Sequence, residues 1–133
     1  MSFTWTPELS TGVEEIDSQH KELFKRLNTL LDACSQQKGK EEVGGYLAFL
    51  EDYIVQHFSA EEAAMTKAGY PGLQAHRQEH DYFKQRIATI KKEFLDYGAT
   101  IHVVLLAVRT SGDWLLSHIK KTDREMGAFL KGA

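Results

Sequence analysis

The sequence has one cysteine, Cys34, which excludes an internal disulfide and any cysteine-built zinc site. Two prolines in 133 residues leave long stretches free of helix breakers. No apolar run reaches the length of about 18 residues that a membrane-spanning helix needs. The opening MSFTWTPELS has neither a basic start nor an apolar stretch, so no secretory leader is read and the cytoplasm is the expected location. There is no long basic run either. Lys and Arg number 16 against 19 Asp and Glu, a net charge of −3, which argues against nucleic acid and against a polybasic membrane anchor. What is present is enough to fold: 42% hydrophobic residues can bury a core, and 26% charged residues keep it soluble. No repeat or linker divides the chain, so residues 1–133 read as one domain, and no attached domain suggests sensing within the same polypeptide.

Strand-like alternation is absent, and helical spacing dominates. An N-terminal arm runs from Met1 to about Ile16, with Phe3, Trp5 and Leu9 expected to lie across the body. A first helix is expected from about Asp17, as N-cap, to about Gln37, with Ile16, His20, Leu23, Leu27, Leu30 (or Leu31) and Cys34 on one stripe. A second spans about Glu41 to Ala68, where Gly44 and Gly45 predict a late start or fraying. Gly69 and Pro71 stop it. A third covers Leu73 to Tyr97 and a fourth Thr100 to about Lys121. Thr122 with Glu125 fits a capping box that restarts a short helix near Asp123. The expected fold is all-α: an up-down-up-down four-helix bundle with an N-terminal arm and a short C-terminal helix.

Polar residues interrupt the apolar stripes at particular points. His20 lies near the start of the first helix, His57 and Glu61 near the end of the second. His76 and His80 lie near the start of the third, His118 near the end of the fourth, and Asp123 just beyond. In an antiparallel bundle the start of one helix sits beside the end of the next, so all seven map to one end. Buried without partners, they would be costly. His57 with Glu61 and His76 with His80 are i,i+4 pairs on one face, able to grip one ion. His118 and Asp123 are five apart, about 140° round an ideal helix, which demands an irregular helix end, a restarted helix, or a position between two ions. Five imidazoles and two carboxylates offer nine donor atoms, too many for one ion. Two metals of about six ligands each need twelve positions. A shared oxygen between them fills two more, and one position stays open for a small ligand. Carboxylates suit the bridging places because negative charge lowers repulsion between two cations. Imidazole with carboxylate favours iron over copper(I) or structural zinc.

The segments GVEEIDSQHKELF, HFSAEE, AHRQEHDYF and WLLSHIKKTD carry a further signal. Together they resemble the hemerythrin family, in particular its small single-domain bacterial members, over nearly the whole chain. The resemblance implies two iron ions (Fe2+/Fe3+) with a bridging oxo or hydroxo group. It implies that His76, His80 and His118 bind one iron, His20 and His57 the other, and that Glu61 and Asp123 bridge them. It implies reversible dioxygen binding at the two-histidine iron, by a carrier or store rather than an enzyme, here expected to be a monomer. Leu115, one turn before His118, matches an oxygen-pocket leucine, and Phe24, Phe58, Phe83 and Trp114 are further wall candidates.

The same residues admit other readings. A lone histidine on an apolar face is usually a satisfied core residue; five on converging stripes with two acids are not. His102, about 24 Å along the helix from His118, is read as a surface residue and not a ligand. Cys34, Met65 and Met126 read as packing, and Lys91, Lys92 and Glu93 as a solvated face. An oxidase, peroxidase or nitric-oxide-handling enzyme on the same scaffold is the alternative, with oxygen or iron sensing through a partner as a third. Ferritin-like sites use Glu-x-x-His spacing and more carboxylates, so that class is disfavoured.

Overall fold

A computed structural model describes residues 3–132; Met1, the expected start of the arm, lies outside the described residues, as do Ser2 and Ala133. Helices α1 (Glu14–Ser35), α2 (Gly39–Ala68), α3 (Leu73–Tyr97) and α4 (Ile101–Ser117) run up, down, up and down, and α5 (Arg124–Gly132) closes the chain. Each long helix packs on its sequence neighbour, and α1 also meets α4, so the four close into a bundle. The apolar stripes meet along its axis. Leu27, Leu50, Ile54, Phe83, Ile87 and Val104 are all buried there. Burial of this kind is the main favourable term in folding. A second, smaller apolar cluster joins Ile16, Met65 and Met126 at the other side of the polar end.

The arm lies across the body as its composition requires. The backbone of Phe3 pairs with the Asn28 amide, donating to Oδ1 at 2.8 Å and accepting from Nδ2 at 2.6 Å. Leu9 is buried, and Phe3 and Trp5 pack against the core.

Three local expectations need correction. Asp17 is not the N-cap: α1 begins at Glu14 after Val13. The Asp17 carboxylate instead accepts from the Thr11 backbone N–H and hydroxyl, both at 2.8 Å, and from Ser10. These hydrogen bonds outweigh burial and hold its pKa below the ordinary range. Gly44 and Gly45 neither delay nor fray α2, which starts earlier, at Gly39. A Cβ on Gly44 would stand 2.8 Å from the ring of Phe94, so its bareness makes room for a packing contact that offsets the helix propensity lost. Finally, no capping box restarts the chain at Thr122. His118–Asp123 form one π-helical turn that joins α4 to α5 without a break, and the Thr122 hydroxyl donates across to Glu79 at 2.8 Å.

Gly127 marks where α5 meets the arm. A Cβ there would collide with the carbonyl of Thr11, and backbone cannot swing aside as a side chain can. Gly127→Ala is therefore expected to destabilise the metal-free protein by about 1–3 kcal/mol, as overpacking does. Chemical unfolding of the two proteins checks this; equal midpoints would refute the close approach.

Candidate metal centre

All seven polar residues converge at one end of the bundle, and all are buried. Each element contributes by its own geometry. One face of α1 brings His20, while α2 brings His57 and Glu61 one turn apart. From α3 come His76 and His80, again one turn apart. The π turn solves the awkward spacing of His118 and Asp123. Bonding from i to i+5 widens the helix so that residues five apart align, and His118 Nε2 stands 3.1 Å from Asp123 Oδ1.

Each of the five clustered histidines turns Nε2 inward, and the carboxylates divide them into two groups. Glu61 Oε2 meets His20 at 3.1 Å and His57 at 2.8 Å. Its other oxygen, Oε1, meets His76 at 3.2 Å and His80 at 3.0 Å. Asp123 repeats the division: Oδ2 meets His20 at 3.0 Å, while Oδ1 meets His76 at 2.9 Å and His118 at 3.1 Å. Thus His20 and His57 face one oxygen edge, and His76, His80 and His118 face the other. The possible donor sets are His20, His57, Glu61 and Asp123, and Glu61, His76, His80, His118 and Asp123, with both carboxylates in common.

Among the described residues, neither oxygen of Asp123 finds a well-formed hydrogen bond, although three imidazole nitrogens crowd it. Nor does His118 Nε2 find one. A buried carboxylate left so is expensive. Lone pairs aimed at a common space, rather than along hydrogen bonds, are what cations between them would satisfy. The residues present therefore fit two metal ions.

The outer ring nitrogens are held from behind. His57 Nδ1 lies 2.6 Å from Gln19 Oε1, His80 Nδ1 2.8 Å from Glu62 Oε2, and His118 Nδ1 2.8 Å from Glu79 Oε1. Each acceptor keeps the proton on Nδ1 and frees the Nε2 lone pair for an ion. Sequence reasoning missed all three. Each adjoins a candidate ligand in sequence, but serves a histidine on a different element.

Without metal, the site stores protons. Burial disfavours charge on His20, but Asp123 and Glu61 outweigh it and raise its pKa to about 9. The same contest raises His118 to about 9, with Asp123 and Glu79 the strongest supports. His76 is raised too, against its burial, by Asp123 and Glu61. Burial alone would push Glu61 and Asp123 up; the surrounding imidazoles hold both well below the usual carboxylate range.

Aromatic rings cover the three-histidine side. Phe58 lies flat on His80, with centroids 3.8 Å apart. Trp114 stacks on His118 at 4.3 Å, and Phe83 stacks on Trp114 at 4.3 Å. Leu115 is buried one turn before His118, and Phe24 lies in the same apolar core. His102, by contrast, is 66% exposed and 3.6 Å from Glu93, away from the cluster.

Known proteins resemble this chain in sequence and fold. The hemerythrin HHE cation binding domain model matches residues 11–130. A bacteriohemerythrin of Methylococcus capsulatus is 38% identical over 128 residues, covering 96% of this chain and 95% of that protein. One from Pseudomonas aeruginosa is 34% identical over 124 residues, covering 90% of this chain and 75% of its own. The crystal structure of a wild-type hemerythrin superposes with a TM-score of 0.81 at 37% identity, covering 96% of this chain and 97% of that one. Fold, buried donor set and sequence agree: this chain belongs to the hemerythrin HHE cation-binding domain family.

Proposed function

We propose that this protein reversibly binds dioxygen at a non-haem diiron centre, as a carrier or store. One observation supports this most: Glu61 and Asp123 each turn one oxygen toward the side of His20 and His57 and the other toward the side of His76, His80 and His118. That arrangement suits two ions bridged by two carboxylates, one of them a nitrogen short. His76, His80 and His118 would hold one iron, and His20 and His57 the other, with a solvent-derived oxygen completing the bridge. Iron held there would supply the electrons for reversible dioxygen binding.

The protein's own part is positioning and exclusion. The Nδ1 partners orient the rings, the π turn aims Asp123 between the halves, and Phe58, Phe83 and Trp114 keep bulk water from the three-histidine side. Keeping water out slows irreversible oxidation. Leu115 would face the oxygen pocket. Five histidines against two carboxylates favour binding over oxygen activation, which benefits from more anionic ligands, so an oxidase, peroxidase or nitric-oxide-handling role is the weaker reading. Anaerobic loading with ferrous salt is expected to give two irons per chain. Air should then raise a visible charge-transfer band that vanishes on deoxygenation. Immediate oxidation without a reversible band, or turnover of peroxide or nitric oxide above that of free iron, would defeat the carrier reading.

Loading must also displace protons. A ring binds metal only through an unprotonated nitrogen. His20 and His118 hold their protons up to about pH 9 in the metal-free state. Apparent ferrous affinity is thus expected to rise with pH from neutrality and to level off above about pH 9, with protons released into a weak buffer below it. Flat affinity across that range would contradict the proton-paired site.

A further inference from the structure

The groups behind the histidines differ in charge between the two halves. In the trio, His80 and His118 lean on carboxylates, Glu62 and Glu79, at 2.8 Å each. Within the pair, His57 leans on the neutral amide of Gln19 at 2.6 Å. The remaining two, His20 and His76, have no hydrogen-bond partner at Nδ1 among the described residues. Glu62 and Glu79 are themselves braced. Arg77 Nε lies 3.3 Å from Glu62 Oε1, leaving Oε2 to His80, and the Thr122 hydroxyl donates to Glu79. A carboxylate accepting from Nδ1–H draws the proton toward itself and makes Nε2 a stronger donor; an amide oxygen does this far less. Its negative charge also attracts a cation across the ring, a pull reduced but not cancelled by Arg77 beside Glu62 and by the 44% exposure of the Glu79 side chain.

We propose that Gln19, Glu62 and Glu79 are positioning residues that make the two metal positions unequal. Anions behind His80 and His118 make the three-histidine position the tighter, first-filled one. The neutral amide behind His57 leaves the two-histidine position weaker and last to fill. The inequality rests on the diiron reading of the site, and it assigns the difference to acceptor charge beyond the ligand count itself.

Anaerobic titration of the metal-free protein with Co2+, followed by its visible bands and by calorimetry, tests this without any oxygen chemistry. Wild-type protein is expected to fill in two resolved steps. Glu62→Gln and Glu79→Gln keep an acceptor oxygen but remove the charge. Each should weaken the tighter step about 10–100-fold and leave the weaker one in place. Gln19→Glu should do the reverse, tightening the weaker step by about tenfold and drawing the two together. A general loss of packing would not move the steps in opposite senses. Two equivalents taken up with all three variants unchanged, or with both steps shifted alike, overturns the inequality alone. Wild-type protein that takes up no cobalt overturns the diiron reading and the inequality with it.

Discussion

On the proposed diiron reading, Glu61→Ala is expected to cost the protein both metals. Glu61 is fully buried, and its two oxygens stand 2.8–3.2 Å from four imidazole nitrogens, two in each half. Among the described residues, no other besides Asp123 reaches both halves. Removing it takes a ligand from each position and the negative charge that offsets repulsion between the ions. Loss of an outer-sphere partner commonly weakens metal binding 10–100-fold, so loss of a bridge should exceed about 100-fold at each position. Iron analysis after anaerobic loading and desalting should fall from two per chain to well under one, and no oxygen-dependent band should form. The apolar core does not depend on this residue, so far-ultraviolet dichroism should still report a helical bundle. A variant with two irons and normal oxygen binding would show that Glu61 does not bridge.

His57→Ala should separate the halves instead. It leaves the pair with His20 as its sole imidazole and leaves the trio untouched. About one iron per chain should remain, held by His76, His80 and His118, while the reversible oxygen band disappears. The same two measurements check this, and an intact band would place the oxygen-binding vacancy elsewhere. His102→Ala is the matching control. That ring is 66% exposed and pairs with Glu93, so iron content and the band should match wild type.

Much of the bundle was legible because helical periodicity is a local property. The stripes of Leu23 with Leu27 and of Leu50 with Ile54 needed only i,i+4 spacing to be placed in the core, and they are there. The interruptions of those stripes were legible for the same reason. Boundaries were harder where a distant group decided them. Asp17 has the chemistry of an N-cap, but Thr11 and Ser10 of the arm claim its carboxylate. Gly44 looks like a helix weakness until the Phe94 ring of α3 is seen against it.

Sequence alone determined which donor types this protein owns, how they are spaced along each helix, and that antiparallel packing gathers them at one end. Tertiary structure decided the rest: which carboxylate oxygen faces which histidine, how a π turn reconciles His118 with Asp123, and that Gln19, Glu62 and Glu79 each back a ring on another element. The reason is geometric. Spacing within a helix follows from its pitch, whereas contacts between helices depend on their separation and rotation, which only the packed core sets.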